Sequence, residues 1–531
     1  MRSSIRSSMR PSIHSSMRPT IHSTIGSSVD NTTFNGHSRR AFCKAILAYA
    51  TATAGLSSSE LFAANELLPY EAFASSFAQV PETYGPTRVK FDRPLPAGLD
   101  GTLYRNGPAR MQRGDTRYHH WFDGDGMVHS FTLQDNSVTH RAKMVRTDRL
   151  VAEEQAGRFL WGGFGTSFDH ALPVMHPDEV NVANISVLPL GEEILALWEA
   201  GSPWRLDAKT LETLGRKVLS DDTDGLPFSA HPRIDPTGRI WNFGYLSGSG
   251  KLILYDIKAN GQLNRTSVID APNADIVHDF AVTDRHLVFV LQPLLYRANS
   301  APNIAFADRL HWDENEPVHV LVVDKQSLQI THRFELPALF AFHMGNAWLD
   351  DSSIHIEVAT APSFAPLMQQ VVAATTGQKA GTPPSQPRTE EIVLDLRKKT
   401  ARVNPLPTSG IDFPRFDQRF TGSATRHLYM MGRSDAMPDT AFGFNMVTAM
   451  NRNNDSEQRF DYGPHTIAEE HLFVAAPGNK QGNGWLVGTS YNWQQQRTTL
   501  SVFNADQLHD GPIAAAALPY GLPLGLHGQF V

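Results

Sequence analysis

The sequence predicts an all-β protein built as a β-propeller. Three observations carry that prediction. Short β-rich runs alternate with Gly, Asp, Asn and Pro turns from residue 85 onward, they recur about every ten to fifteen residues, and long helical periodicity is scarce. Arg239–Tyr245, Lys251–Asp256, His286–Leu291, Val318–Asp324, Ile354–Val358, Glu391–Leu396 and His427–Gly432 are such runs. Asp207 to Gly215 reads as strand, turn, strand. The spacing suits a sandwich, barrel or propeller rather than βαβ units. More than 400 residues of these hairpins in one body favour the propeller, whose blades repeat radially around an axial channel. At about 150 residues per domain, 531 residues suggest three or four domains, but a closed all-β architecture absorbs them in one.

The first 64 residues stand apart from that body. Residues 1–28 are a degenerate eight-residue repeat rich in Ser and Arg, with nothing to bury, and are expected to be disordered. Ser38-Arg39-Arg40-Ala41-Phe42-Cys43-Lys44 follows, then a mildly apolar stretch from Ala45 to Leu56 and small residues to Ala64. This resembles a twin-arginine export signal in its order of charged, apolar and small regions. The expected organisation is a leader over 1–64 and a single domain over 65–531. The expected location is the periplasm, the alternative being a cytoplasmic, membrane-associated protein.

Composition excludes several chemistries. The lone cysteine, Cys43, lies in the leader, so the body has no thiol for disulfides, zinc–thiolate sites, iron–sulfur clusters or nucleophilic catalysis. Net charge is −7, and the body without its basic leader holds 40 basic against 52 acidic residues, a poor balance for binding nucleic acid. No apolar run reaches the roughly 18 residues of a membrane span. No Gly-x-Ser-x-Gly, phosphate loop or dinucleotide fingerprint is present in a suitable context. With 22 histidines available, a transition metal would be held by imidazole and carboxylate.

Three histidines share a local pattern. His231 precedes the strand Arg239–Tyr245, His278 precedes His286–Leu291, and His343 precedes Ile354–Val358. In each case a short strand and a tight turn intervene. If the hairpins are equivalent parts of successive blades, the three side chains converge on the axis. Asp123-Gly124-Asp125-Gly126 reads as a hairpin turn, since Gly and Asp tolerate positive φ. His119, His120 and His129 flank it without the hairpin context.

These residues belong to a set of landmarks that together resemble the carotenoid cleavage oxygenases. The landmarks are Gly101–Pro108, Trp121–His129, Ala230–Arg233, Val277–Phe280, Phe342–Ala347, Phe413–Arg415 and Leu526–Gly528, and the resemblance runs from about Pro81 to Val531. It implies a seven-bladed propeller with a loop-rich cap over an axial metal site. It also implies one Fe(II) per chain on His231, His278, His343 and His527. His527 rests on the resemblance alone. Three acids are implied as partners of the far ring nitrogens: Glu199, Glu470 and Asp412, the last standing where the family usually has Glu. Glu469, beside Glu470, is a decoy for that role. The implied reaction is O2-dependent cleavage of a C=C bond in a carotenoid or apocarotenoid to carbonyl products, with no catalytic residue beyond the iron ligands. Stilbene-cleaving relatives carry Lys where this chain has Trp198, which argues for a polyene over a phenolic stilbene.

Substrate selection would then come from an apolar tunnel. Trp161, Phe164, Trp198, Trp204, Phe243 and Phe340 are candidates for its wall, or for ordinary core. The stretch Ala361–Gln386, apolar and then rich in Pro and Gly, reads as an excursion that contacts a membrane or gates the tunnel, or as a plain loop.

Overall fold

A computed structural model describes residues 67–298, 304–381, 387–478 and 480–531. The leader and its arginine pair lie outside them. Glu66–Val531 gather into one unit.

Seven antiparallel sheets build that unit as a seven-bladed propeller. Blade 1 has five strands, ordered Thr83–Lys90, Ser137–Met144, Asp125–Gln134, Gly101–Arg110 and, innermost, Gly528–Phe530. Blades 2 to 7 have four strands each and begin innermost at Ser186–Leu190, Arg233–Ile234, Ala281–Val282, Phe340–Asp350, Gly410–Arg415 and Thr466–Ala475. The chain thus enters each of these blades at the axis and works outward. Blade 1 closes the ring by pairing the last strand with one laid down some four hundred residues earlier, Leu103 opposite Phe530 and Arg105 opposite Gly528. Closure removes the free edges that an open sheet would expose.

Each predicted run falls in a strand, shifted by a few residues at most. Arg239–Tyr245 is seen as Ile240–Tyr245 and Ile354–Val358 as Ser353–Ala361. Alternating side chains point to both faces of every blade, so the apolar core is a series of layers between neighbouring blades. Blade 3 meets blade 4 through Phe243, Leu252, Phe280, Phe289 and Leu321, for example.

The cap comes from insertions between strands. A helix over Asp148–Ala156 has Thr147 as its N-cap, whose side chain accepts from Leu150 N, and ends on Gly157 in the left-handed region. Blade 4 carries a ribbon of Leu294–Tyr296 and Leu310–Trp312. Blade 5 carries a helix, Ala365–Thr376, within the stretch read as an excursion.

The Asp-Gly-Asp-Gly landmark is not a hairpin turn. Gly124 and Gly126 have no positive φ, and Asp125 opens a blade 1 strand. Asp123 accepts from Gly165 N at 3.0 Å and Thr166 Oγ1 at 2.6 Å, which fastens the cap to the blade, and Asp125 pairs with Arg113 at 2.8 Å. A Cβ on Gly126 would collide with the Ala183 backbone, so close approach explains that glycine.

Burial leaves several histidines neutral. His140, bridging His129 and Tyr520, is held down to about 3 by desolvation. The unfolded ring titrates near about 6.5, so its stabilising contribution is complete above that pH and is lost as pH falls toward 3. His140→Gln removes the titration. Between pH 7 and pH 5 the variant should lose about 2 kcal/mol less stability than the parent, measured by urea unfolding.

Candidate metal centre

The side chains of the predicted set converge where the innermost strands meet. His231 and His278 sit just ahead of the two-residue strands Arg233–Ile234 and Ala281–Val282, and His527 just ahead of Gly528–Phe530. His343 lies within Phe340–Asp350, where the register slips between Ala341 and Met344. Asp412 lies in a similar irregularity between Gly410 and Arg415, and Glu470 in another between Ala468 and His471. Bulges re-aim side chains that regular pleating would send into the layers between blades. Glu199 follows the second strand of blade 2, Glu193–Leu197. Every blade therefore supplies one group, four imidazoles and three carboxylates in all.

The four imidazoles present their Nε2 atoms to a common point. Successive Nε2 pairs are 3.0 Å apart for His231 and His278, 3.2 Å for His278 and His343, and 3.1 Å for His343 and His527. All four lie within 4.8 Å of one another. Three of the rings have a carboxylate at the opposite nitrogen. His278 Nδ1 is 3.1 Å from Glu199 Oε2, His343 Nδ1 is 2.7 Å from Asp412 Oδ1, and His527 Nδ1 is 2.9 Å from Glu470 Oε1. Carboxylates accept, so each Nδ1 carries the proton and each Nε2 is a bare lone pair. Bare lone pairs at this separation repel unless a cation lies among them. A metal–imidazole bond of about 2.1 Å with ligands at right angles separates the nitrogens by about 3 Å. The donor set and its spacing fit a transition metal.

Electrostatics keep His231 and His527 neutral. Desolvation drives His231 well below its ordinary value, and the neighbouring imidazoles add to the effect. Desolvation holds His527 at about 4 despite the opposing pull of Glu470. Burial alone would raise the Glu470 carboxyl, but Arg415 and His527 outweigh it and bring it to about 2. Glu470 also accepts from Arg415 Nε at 2.7 Å and Gly528 N at 2.8 Å.

The shorter Asp412 reaches its histidine directly. Phe413 adopts φ +53°, and its N–H donates to Asp412 Oδ1 at 2.7 Å, within the register irregularity that turns the carboxylate toward His343. Asp412→Asn should weaken metal binding by about 10–100-fold in a competition titration. Asp412→Glu should cost about 1–3 kcal/mol of stability from overpacking rather than strengthen the centre.

An apolar cavity of about 940 Å3 ends on the cluster. Phe73, Trp121, Phe122, Phe340 and Phe342 line it, with Leu367, Met368 and Val371 of the blade 5 helix forming one wall. The Phe342 ring stacks on His278 at 4.1 Å, and Phe413 packs against His343 and His527. Of the six aromatic candidates for the wall, only Phe340 lines the cavity. Trp204 and Phe243 fill layers between blades because their strands point them there. Trp198 packs with Ile185 and Leu526, Phe164 lies behind the wall against Phe306 and Phe364, and Trp161 meets Arg149 through its carbonyl. Phe342 and Phe413 also line the cavity and were missed, although their place beside His343 and Asp412 was a signal that could have found them. Phe73 carried no signal, standing in the stretch between the leader and the first strand.

The remaining alternatives have structural roles. Glu469 pairs with Arg105 at 2.6 Å and accepts from Gly525 N at 2.7 Å. His120 accepts from Phe122 N, and His129 contacts His140.

A propeller whose axis carries four imidazoles, three of them backed by carboxylates, defines a site that could hold a metal ion at the end of an apolar cavity. The chain belongs to the carotenoid cleavage oxygenase family: the RPE65 family model, retinal pigment epithelial membrane protein, matches residues 77–531. The apocarotenoid-15,15'-oxygenase of Synechocystis sp. is 28% identical over 464 residues, covering 82% of this chain and 91% of that protein. The lignostilbene-alpha,beta-dioxygenase isozyme III of Sphingomonas paucimobilis is 28% identical over 466 residues, covering 82% and 92%. The solved structure of cobalt-substituted Synechocystis apocarotenoid oxygenase superposes with a TM-score of 0.78 at 26% identity, covering 88% of this chain and 99% of that one.

Proposed function

We propose that this protein is a non-haem Fe(II) dioxygenase that cleaves a C=C bond of a carotenoid or apocarotenoid with O2, giving two aldehyde fragments. The observation that carries this reading is the apolar cavity of about 940 Å3 ending on the imidazole cluster. That volume is near the top of the range of about 300–1,000 Å3 for small-molecule sites, and so suits a long polyene. Four neutral imidazoles would leave a bound metal its full positive charge, which a carboxylate ligand would partly neutralise. Iron held there would supply the activation of O2. The protein's own part is to hold the ligand rings through Glu199, Asp412 and Glu470, to keep water away from the alkene with Phe342 and Phe413, and to align the polyene along the aromatic wall. Both oxygen atoms enter the products, one per carbonyl, so no external reductant or acid–base pair is needed.

A phenolic stilbene is the second reading, favoured by a lignostilbene dioxygenase relative as similar as the apocarotenoid one. Trp198, at the position where the family's stilbene-cleaving members carry Lys, weighs against it. The signal-like leader suits export to the periplasm, and a substrate that resides in lipid suits contact with a membrane at the cavity mouth. The test is to load the protein with iron and supply an apocarotenal or a hydroxystilbene under isotope-labelled O2. The proposal expects labelled aldehydes from the apocarotenal. Cleavage of the stilbene alone supports the second reading, and no cleavage of either refutes both.

A further inference from the structure

Three ligand imidazoles meet a carboxylate at Nδ1, and His231 does not. Among the described residues no acceptor lies within hydrogen-bond distance of its Nδ1, and Asp279 Oδ2 stands 3.9 Å away. A ring bound to a metal through Nε2 would carry a proton at Nδ1, and that donor needs an acceptor. The surroundings of His231 also differ from those of its neighbours. The apolar cavity reaches His278, His343 and His527 but not His231. His231 faces a polar chamber on the axis, of about 60 Å3, lined also by Ser186, Arg233, Asp279 and Gln529, which His343 and His527 reach from their other side.

That chamber is large enough for a few water molecules, since one needs about 10–15 Å3. A gap of 3.9 Å is too long for a direct bond and is of the length that water spans. Asp279 is held rigidly at the chamber wall. Arg233 Nη2 donates to both of its oxygens, at 2.8 and 2.7 Å, Phe280 N donates to Oδ1 at 2.8 Å and Met344 N to Oδ2 at 2.8 Å. It is next in sequence to His278 and bonded to the residue after His343, so it moves with the ligand strands of blades 4 and 5.

We propose that the axial chamber is a water site and that Asp279 is a fourth carboxylate of the centre, positioning His231 through a bound water. The proposal rests on the four histidines being metal ligands. The asymmetry has a chemical consequence: a water-mediated partner is softer than a direct carboxylate, so His231 is the ligand most free to shift when substrate fills the cavity on the opposite side.

The test uses the full chain loaded with Co(II). Asp279→Asn should weaken Co(II) binding by about 10–100-fold and shift the visible ligand-field bands, whereas a residue serving only as a strut would alter unfolding of the metal-free protein and leave the bands in place. If Asp279→Asn fails to fold, a crystal structure of the metal-loaded parent decides, with an ordered water bonded to both His231 Nδ1 and Asp279. Unchanged affinity and bands in a folded variant, or a parent structure without that water, overturns the proposal. Failure of the parent itself to bind Co(II) refutes the metal assignment instead.

Discussion

His527→Ala should abolish tight metal retention and, with it, turnover. The loss should exceed about a hundredfold in affinity, because outer partners of ligands alone are worth about 10–100-fold and this change removes a ligand. His527 is buried, its Nε2 lies 3.1 Å from that of His343, and its proton is held by Glu470. The fold should survive. The closing strand Gly528–Phe530 keeps its pairing with Gly101–Arg110, and the vacated space adjoins the existing cavity. Metal titration together with urea unfolding of the metal-free protein separates the two effects. A variant that binds metal as tightly as the parent contradicts the ligand assignment.

Glu470→Gln should damage both stability and metal binding. The carboxylate accepts from Arg415, from His527 and from Gly528 N, and Arg415 is what holds it ionised against the cost of burial. Removing the charge leaves Arg415 with no counter-ion in a largely buried position, and breaking such a pair costs about 3–5 kcal/mol. An amide can present its NH2 to His527 Nδ1, which would place two donors face to face, so metal affinity should also fall by about 10–100-fold. Asp412→Asn provides the contrast. Asp412 has no arginine partner among its described contacts, only His343 Nδ1 and Phe413 N, so its loss should weaken metal binding with less effect on the metal-free fold. Unfolding of both variants with and without Co(II) measures the difference.

The propeller was legible because a β-hairpin is a local object. Period-2 patterning and turn residues mark each strand, and repetition across the chain marks the ring. His231, His278 and His343 share that legibility, since each stands ahead of a strand that folds back within a few residues. His527 does not. Its strand pairs with residues near the other end of the body, so no local turn announces it, and only the resemblance singled it out. Ring closure supplies the missing physical reason: a terminal strand that completes blade 1 brings His527 to the same radial position as the other three. The bulges at His343, Asp412 and Glu470 were invisible, because a register slip depends on the partner strand as well as on the residues themselves. The cavity wall was hardest to read. Trp204 and Phe243 are as apolar as Phe342 and Phe413, and which of them faces the axis depends on strand register and on insertions that arrive from distant blades.

The central claim is that four imidazoles on the propeller axis bind one metal ion. The most direct test is metal stoichiometry of the purified, iron-reconstituted chain after exhaustive dialysis at neutral pH. The account predicts one iron per chain in the parent and none when His231, His278, His343 and His527 are all replaced by Ala. A parent that holds no iron, or a quadruple variant that still holds one, contradicts it.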